Sequence, residues 1–362
     1  MKGIVCLAPD PWQSIPTRTQ QLMSRMKGVE VLYFEPPEPK GGKEYKKPGR
    51  RMRPGVTVYT LPPVSWTASP RQTLRFRWDR RRLGEFVQDV LRRRGITEPV
   101  VWCATPEGVH LLDFLPYRGL VYDCGRYWTG LPLSWESDLA IRADVVFAAS
   151  AGLADRLGPC SQNIAVVQNG CNFPMFTRSD IEEPAVVRGA GRPLLGYAGT
   201  LWADLDYGPV FTAAAAHPDW WFMLLGRQED SPGLRRLRTM DHVILADRHP
   251  QIEVPDYVYQ WDVCMDLRRT ASASDVCSSR VFEYWSAGKP VARHSFPGQV
   301  DDLPAGLAYQ SDELHGFVAC CERALREDSP WLQKRRRDAG EHAAWDRRSE
   351  LVRKILEGNM LL

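Results

Sequence analysis

The sequence predicts an α/β fold built as two successive layers of parallel sheet and helix. Three observations carry it. In both halves, short apolar runs of strand length alternate with stretches of helical periodicity, the pattern of βα units feeding a parallel sheet. At 362 residues, 44% of them hydrophobic, the chain exceeds the size at which one core stops growing, so two domains are expected. Between the two series, residues 177–193 read TRSDIEEPAVVRGAGRP, polar and rich in Gly and Pro without apolar periodicity, as a linker would.

In the first series Ile4–Ala8, Glu30–Phe34, Val56–Leu61, Val100–Cys103, Leu120–Asp123, Val145–Ala149 and Ile164–Gln168 read as strands. Thr17–Met26 and Asp79–Arg94 read as helices. In the second of these Leu83, Phe86, Val87, Val90 and Leu91 recur at helical spacing, Asp79 stands where a cap would, and Gly95 follows the basic last turn. In the second series Leu194–Ala198, Trp221–Leu225, Val243–Leu245, Val263–Asp266 and Pro290–Ala292 are strand-like. Helical patterns cover Tyr207–Ala216, Arg280–Ala287, Asp312–Glu327 and the tail from Ala339, which carries Trp345, Leu351, Ile355 and Leu356. The expected layout is a first domain over 1–176, a linker over 177–193, a second domain over 194–338 and a helix over 339–362 returning to the first.

Composition excludes several classes. The run Met1–Ala8 is ended by Pro9-Asp10-Pro11, too soon for a secretory signal, and no stretch approaches the roughly 20 uncharged apolar residues of a membrane span. Nine cysteines without CxxC pairs read as reduced thiols of a cytoplasmic protein, and the histidines stand apart from one another, so neither a disulfide framework nor a metal centre is expected. The net charge of +3 conceals an asymmetry: Lys40 to Arg94 holds 16 Lys/Arg against four Asp/Glu, leaving −9 for the rest of the chain. Interleaved with Tyr45, Trp66, Phe76 and Trp78, these cations suit an anionic membrane surface. A nucleic acid is the rival partner for such a composition and a solvated face the plain alternative; the membrane is favoured, with no nucleic acid expected.

Two nucleotide-binding halves call for G-x-G-x-x-G after a strand, which is absent; Gly196-Tyr197-Ala198-Gly199-Thr200 is a simple glycine-containing strand-to-helix turn. The most informative segment is SSRVFEYWSAGKPV, from Ser278 to Val291. It reads as a loop ending in Ser278 and Ser279, a short helix with Arg280 and Glu283 near its start, a terminal Gly288 and a strand opened by Pro290. Free N–H groups and the positive dipole end suit a diphosphate, Arg280 adds a charge-assisted bond, and Glu283 can accept two ribose hydroxyls. A capping box, with Glu283 bonded back to the helix start, explains the same spacing without a ligand.

This segment resembles the donor-binding motif of GT-B glycosyltransferases, with Ser278 at the proline position, Arg280 for lysine and Glu283 retained. Asp275 stands where many retaining members have a second glutamate beside the sugar. The segment Val166–Phe176, with Asn169-Gly170, is similar to the turn ending the first domain of that superfamily, and Leu195–Leu201 to the opening of its donor domain. Bacterial cell-wall and exopolysaccharide transferases of the teichuronic-acid type are the suggested relatives. The resemblance implies two Rossmann-like domains, no cofactor and transfer from a nucleotide diphosphate sugar to a glycan or lipid-linked acceptor. The implied donor set is Gly199, Thr200, Arg248, Ser278, Ser279, Arg280 and Glu283, with Asp275 catalytic.

If transfer inverts the anomeric centre, a base is required in the first domain. Asp123 is the candidate, at the C-terminal end of a buried strand where open α/β sheets place ligands; capping of the next turn is its equal alternative. Asp10, Arg18 and His110 are weaker acceptor-side candidates, and His110 reads more readily as a packed histidine. A GT-B epimerase, a nucleotide-sugar binder without turnover and an RNA-binding protein are the alternative functions.

Overall fold

A computed structural model of the chain describes residues 3–13, 15–39, 41–64, 74–269, 276–295 and 303–362. It separates into two compact units, Met1–Gln168 with Asp346–Leu362, and Asn169–Trp345.

The first unit is built on an eight-stranded sheet: β1 (Gly3–Leu7), β2 (Glu30–Glu35), β3 (Arg50–Arg53), β4 (Val56–Thr60), β5 (Val100–Cys103), β6 (Gly119–Cys124), β7 (Val145–Ala148) and β8 (Ile164–Val166). The order is β3-β4-β2-β1-β5-β6-β7-β8, parallel throughout except for β3, which pairs antiparallel with β4. Apolar runs such as VVWC in β5 and VVFA in β7 are fully buried, as strands covered on both faces must be. Strand β3 breaks that rule: RRMR is exposed at every position and survives only as a charged edge.

The second unit carries β9 (Leu194–Ala198), β10 (Trp221–Leu225), β11 (Val243–Ala246), β12 (Val263–Asp266), β13 (Val291–His294) and β14 (Ala308–Ser311). They form a parallel sheet in the order β11-β10-β9-β12-β13-β14. Tyr197, Phe222, Trp261 and Trp285 are among its fully enclosed side chains, each contributing about 1.5–3 kcal/mol or more of burial. Strand order reverses between β1 and β5 in the first unit and between β9 and β12 in the second, and such switch points open crevices at the C-terminal ends of the strands.

Several expected boundaries move. The first unit ends at Gln168, not at 176, because Cys171 exchanges backbone bonds with Ala343 and Trp345 (3.0 Å each) and buries with Phe176 in the second unit's core. Residues 177–193 belong to that unit too: Arg178 pairs with Asp256, which also accepts from Glu182 N at 3.1 Å, and Val187 is buried. The tail is two helices, Pro330–His342 and Trp345–Gly358, and only residues from Asp346 join the first unit. There Arg348 donates to Gln168 at 3.3 Å and Asn163 to Asn359 at 2.9 Å. The basic helix starts at Leu74, so Asp79 lies inside it, buried beside Arg82, instead of at its N-cap.

Candidate active site

In the second unit the switch point gathers three elements. Strand β9 ends at Ala198 and runs into Gly199-Thr200, β12 ends at Asp266, and the Ser279–Ser286 helix begins beside them. The Tyr284 hydroxyl accepts from Ala198 N at 2.9 Å, which fixes the helix against β9. The Asn169 side chain donates to the Cys277 carbonyl at 3.0 Å and holds the loop leading into the helix. Glycines make the approach feasible. A Cβ on Gly199 would lie 2.5 Å from Arg280 Nη1, and one on Gly226, at the end of β10, 2.0 Å from the Gly199 carbonyl oxygen.

Ser278 caps the helix, its hydroxyl accepting from Arg280 N at 3.3 Å. Glu283 is therefore the fifth helical residue, beyond reach of the cap, and no described residue bonds its carboxylate; the capping-box explanation fails on position. Burial raises the Glu283 carboxyl to about 7 against the opposing pull of Arg280. The Arg280 guanidinium stacks on Tyr197, Cζ 4.7 Å from the ring centroid, and reaches Asp266 Oδ1 at 3.5 Å. Arg293, 4% exposed, takes the other Asp266 oxygen at 3.1 Å. Asp266 thus bridges two arginines, and with Tyr197 beneath Arg280 it fixes the plane in which the Arg280 N–H groups donate.

In the first unit the loop after β1 is organised by Gln20, fully buried, whose Oε1 accepts from Thr17 N at 3.1 Å and whose Nε2 donates to Gln13 O at 3.0 Å. Thr17 and Gln20 form a reciprocal capping box, and the next residue, Arg18, is aimed at β6, where Nε and Nη2 meet Asp123 Oδ1 at 3.0 and 2.9 Å. Asp123 is 1% exposed. Its Oδ1 is held in this ion pair, while Oδ2 is buried with no hydrogen-bond partner among the described residues. His110 is packed, with ring centroids of Trp135 and Phe76 at 4.4 and 5.0 Å, and burial with the nearby Arg80 lowers its pKa to about 4. Asp10 is half-buried on the β1 loop, where its carbonyl accepts from Tyr33 OH at 3.2 Å.

One carboxylate at the β1/β5 switch point was not anticipated. Glu107 follows β5 by four residues, is half-buried, and receives a single hydrogen bond, from Thr105 Oγ1 at 3.3 Å. No described cation pairs with it, and burial holds its pKa above the usual carboxylate value. Of its neighbours at this end of the sheet two are fully engaged, whereas the Asp10 carboxylate pairs with no described cation. Glu35 accepts from Trp12 N, Arg50 and Thr60, and Glu136 from Arg156 and Tyr122.

No family model matches the chain. A Bacillus subtilis protein assigned to teichuronic acid biosynthesis as the glycosyltransferase TuaH is 23% identical over 264 residues, 66% of each chain, so just under two thirds of that relative's length is spanned. Among solved structures, sucrose-phosphate synthase from Thermosynechococcus elongatus superposes with a TM-score of 0.75 over 99% of both chains at 15% identity. The fold is GT-B. An E. coli trehalose-6-phosphate structure bound with UDP-2-fluoro glucose (TM-score 0.72, 11% identity, 98% of each chain) and Anabaena HepE with UDP (0.68, 12%, covering 99% of this chain and 100% of that one) have the same architecture.

Of the residues expected in the GT-B donor set, the fold brings Gly199, Thr200, Ser278, Ser279, Arg280 and Glu283 to one end of one sheet. Arg248 follows β11, two strands further from β12, and is exposed there. Asp275 lies outside the described residues, as does Trp66 of the basic region. Tyr197, Asp266 and Arg293 were missed, since nothing in the sequence says that a strand tyrosine will meet an arginine some eighty residues later. Glu107 sits in no recognisable motif. Its only signal is a carboxylate just after a buried strand. All nine cysteines are free thiols.

Proposed function

We propose that the chain transfers a sugar, of hexose type, from a nucleotide diphosphate sugar to a hydroxyl of a glycan or lipid-linked acceptor. The observation that carries this reading is the convergence of the β9 turn, Asp266-anchored Arg280, Glu283 and the N-terminus of the Ser279–Ser286 helix at the second unit's switch point. The helix N-terminus and Arg280 meet the diphosphate, whose charge grows as its bond to the sugar breaks, and Glu283 accepts the ribose hydroxyls. Protein groups alone supply that neutralisation, so the reading includes no metal and no cofactor. In the first unit Glu107, whose carboxylate pairs with no described cation and accepts one hydrogen bond, from Thr105, is assigned to take the proton of the attacking hydroxyl, in place of Asp123.

The acceptor is met at an anionic membrane surface through the basic region from Lys40 to Arg94, with the protein peripheral on the cytoplasmic face. In support, no helix among the described residues is long and apolar enough to cross a membrane, and the described cations of this region are largely exposed. The relatives give the epimerase alternative no support. The test is a panel of nucleotide sugars screened by thermal shift, because a ligand selective for the folded state raises its melting temperature, followed by transfer to a lipid extract with the best donor. Release of nucleoside diphosphate with a glycosylated lipid is the expected result. Stabilisation without turnover marks a binder instead.

A further inference from the structure

A concave notch lies in the first unit outside the site described above. The turn at Gly41–Lys46 that follows β2 and the segment at Pro63 that follows β4 face the first turns of the Leu74–Arg94 helix. Lys43, Lys46, Arg75 and Arg82 line this notch together with the Trp78 ring. Lys43 and Arg75 are exposed and pair with no carboxylate among the described residues, and Lys46 lies against the Tyr45 ring at 5.6 Å. Arg82 stacks over Trp78, Cζ 5.0 Å from its centroid, and the one acidic residue among the described lining, Asp79, is 2% exposed and 3.7 Å from Arg82. At the rim, Trp78 is 61% exposed and Leu74 84%.

A merely solvated face would spread its charges. Here four described cations line one concave wall around an indole with a single carboxylate, that of Asp79 beside Arg82, among them, a surplus of positive charge that favours an entering anion. Cations above and an aromatic with an aliphatic side chain at the rim match the layering of a lipid headgroup region. Because β2 and β4 run parallel to β1 and β5, the notch opens at the same end of the sheet as the β1/β5 switch point that carries Glu107.

We propose that this notch holds the phosphate of an anionic phospholipid headgroup, with Trp78 and Leu74 inserted at the interface, so that the acceptor end of the first unit faces the leaflet. The purpose of the site rests on the glycosyl-transfer reading, while its binding is measurable without catalysis. The test is co-sedimentation of the full chain with phosphatidylcholine vesicles, with and without phosphatidylglycerol. It compares wild type, the combined variant Lys43→Ser, Lys46→Ser and Arg75→Ser, Arg75→Ser alone, and Trp78→Ala. Wild type is expected on anionic vesicles only, with partitioning reduced at least about tenfold in the combined variant, to a lesser degree in each single variant, and abolished by high salt. Equal recovery on neutral vesicles, a combined variant that binds as wild type does, or displacement from vesicles by an RNA oligonucleotide overturns the proposal. Nucleotide-sugar affinity, measured on the same samples, certifies the fold of the variants. Loss of donor binding in wild type with vesicle binding intact would count against glycosyl transfer and leave this site standing.

Discussion

Arg280 lies over the face of Tyr197, with its guanidinium carbon 4.7 Å from the ring centroid. Cation–π stacking of this kind contributes roughly 0.5–2 kcal/mol, and it fixes the plane of the guanidinium as well as its charge. A lysine would keep the charge and lose the plane. Arg280→Lys is therefore expected to weaken nucleoside diphosphate binding by roughly 0.5–2 kcal/mol while leaving the melting temperature of the free protein nearly unchanged, as read by titration calorimetry and a thermal scan.

Glu283 gives the donor site a pH dependence. Its carboxyl is raised from 4.5 to about 7 by burial, so in the free protein it ionises near neutrality. A ribose diol donates to the carboxylate more strongly than to the acid, so donor affinity should rise with pH through about 7 and binding should release protons. The stability of the free protein runs the other way. With the folded value above the unfolded one, the contribution of this group is full below 4.5 and is lost as pH rises through about 7. Glu283→Gln should flatten both profiles, as followed by calorimetry in buffers of different ionisation enthalpy.

Gly226 tests whether the strand ends must touch. Its φ is +150°, and a Cβ there would fall 2.0 Å from the Gly199 carbonyl oxygen, a backbone atom that cannot swing away. Gly226→Ala should cost on the order of 1–3 kcal/mol of stability and also weaken donor binding, because relief requires moving the β9 turn that faces Arg280. Denaturant unfolding reports the first effect and calorimetry the second. A change in stability alone would mean that the turn does not shape the donor site.

The acceptor side separates into two residues with different expected failures. Glu107→Gln should lower turnover by roughly 10²–10⁴-fold with donor affinity unchanged, the behaviour of a lost base. Asp123→Asn should instead destabilise the first unit by roughly 3–5 kcal/mol, since it leaves Arg18 facing a neutral partner in a buried pair. Turnover per folded molecule would then be largely kept. Steady-state kinetics beside a denaturation curve for each variant distinguishes the two. The reverse assignment would follow if Asp123→Asn were stable and inactive.

Buried strands such as Val100–Cys103 and Trp221–Leu225 were legible because parallel strands covered on both faces read as uninterrupted apolar runs. Strand Arg50–Arg53 was not, since an exposed edge imposes no apolar period, and the Leu133–Arg142 helix was missed among mixed polar and apolar residues. Ser278, Arg280 and Glu283 were legible as a local pattern, where order along the chain sets the geometry. What holds Arg280 in place was hidden, because Tyr197 and Asp266 reach it only through the sheet order β9-β12. The ion pair of Asp123 was hidden for the same reason. Its position at a strand end was visible, but its partner Arg18 lies on a different element.

The central claim is that the helix beginning at Ser279 holds a nucleotide diphosphate sugar through Arg280 and Glu283. Titration calorimetry of the preferred nucleotide sugar, against wild type, Arg280→Ala and Glu283→Ala, tests it most directly. Each substitution removes a charged hydrogen-bonding partner and should weaken binding by roughly 1.5–3 kcal/mol without unfolding the second unit. Unaltered affinity in both variants, with the fold intact, would contradict the donor site and the function built on it.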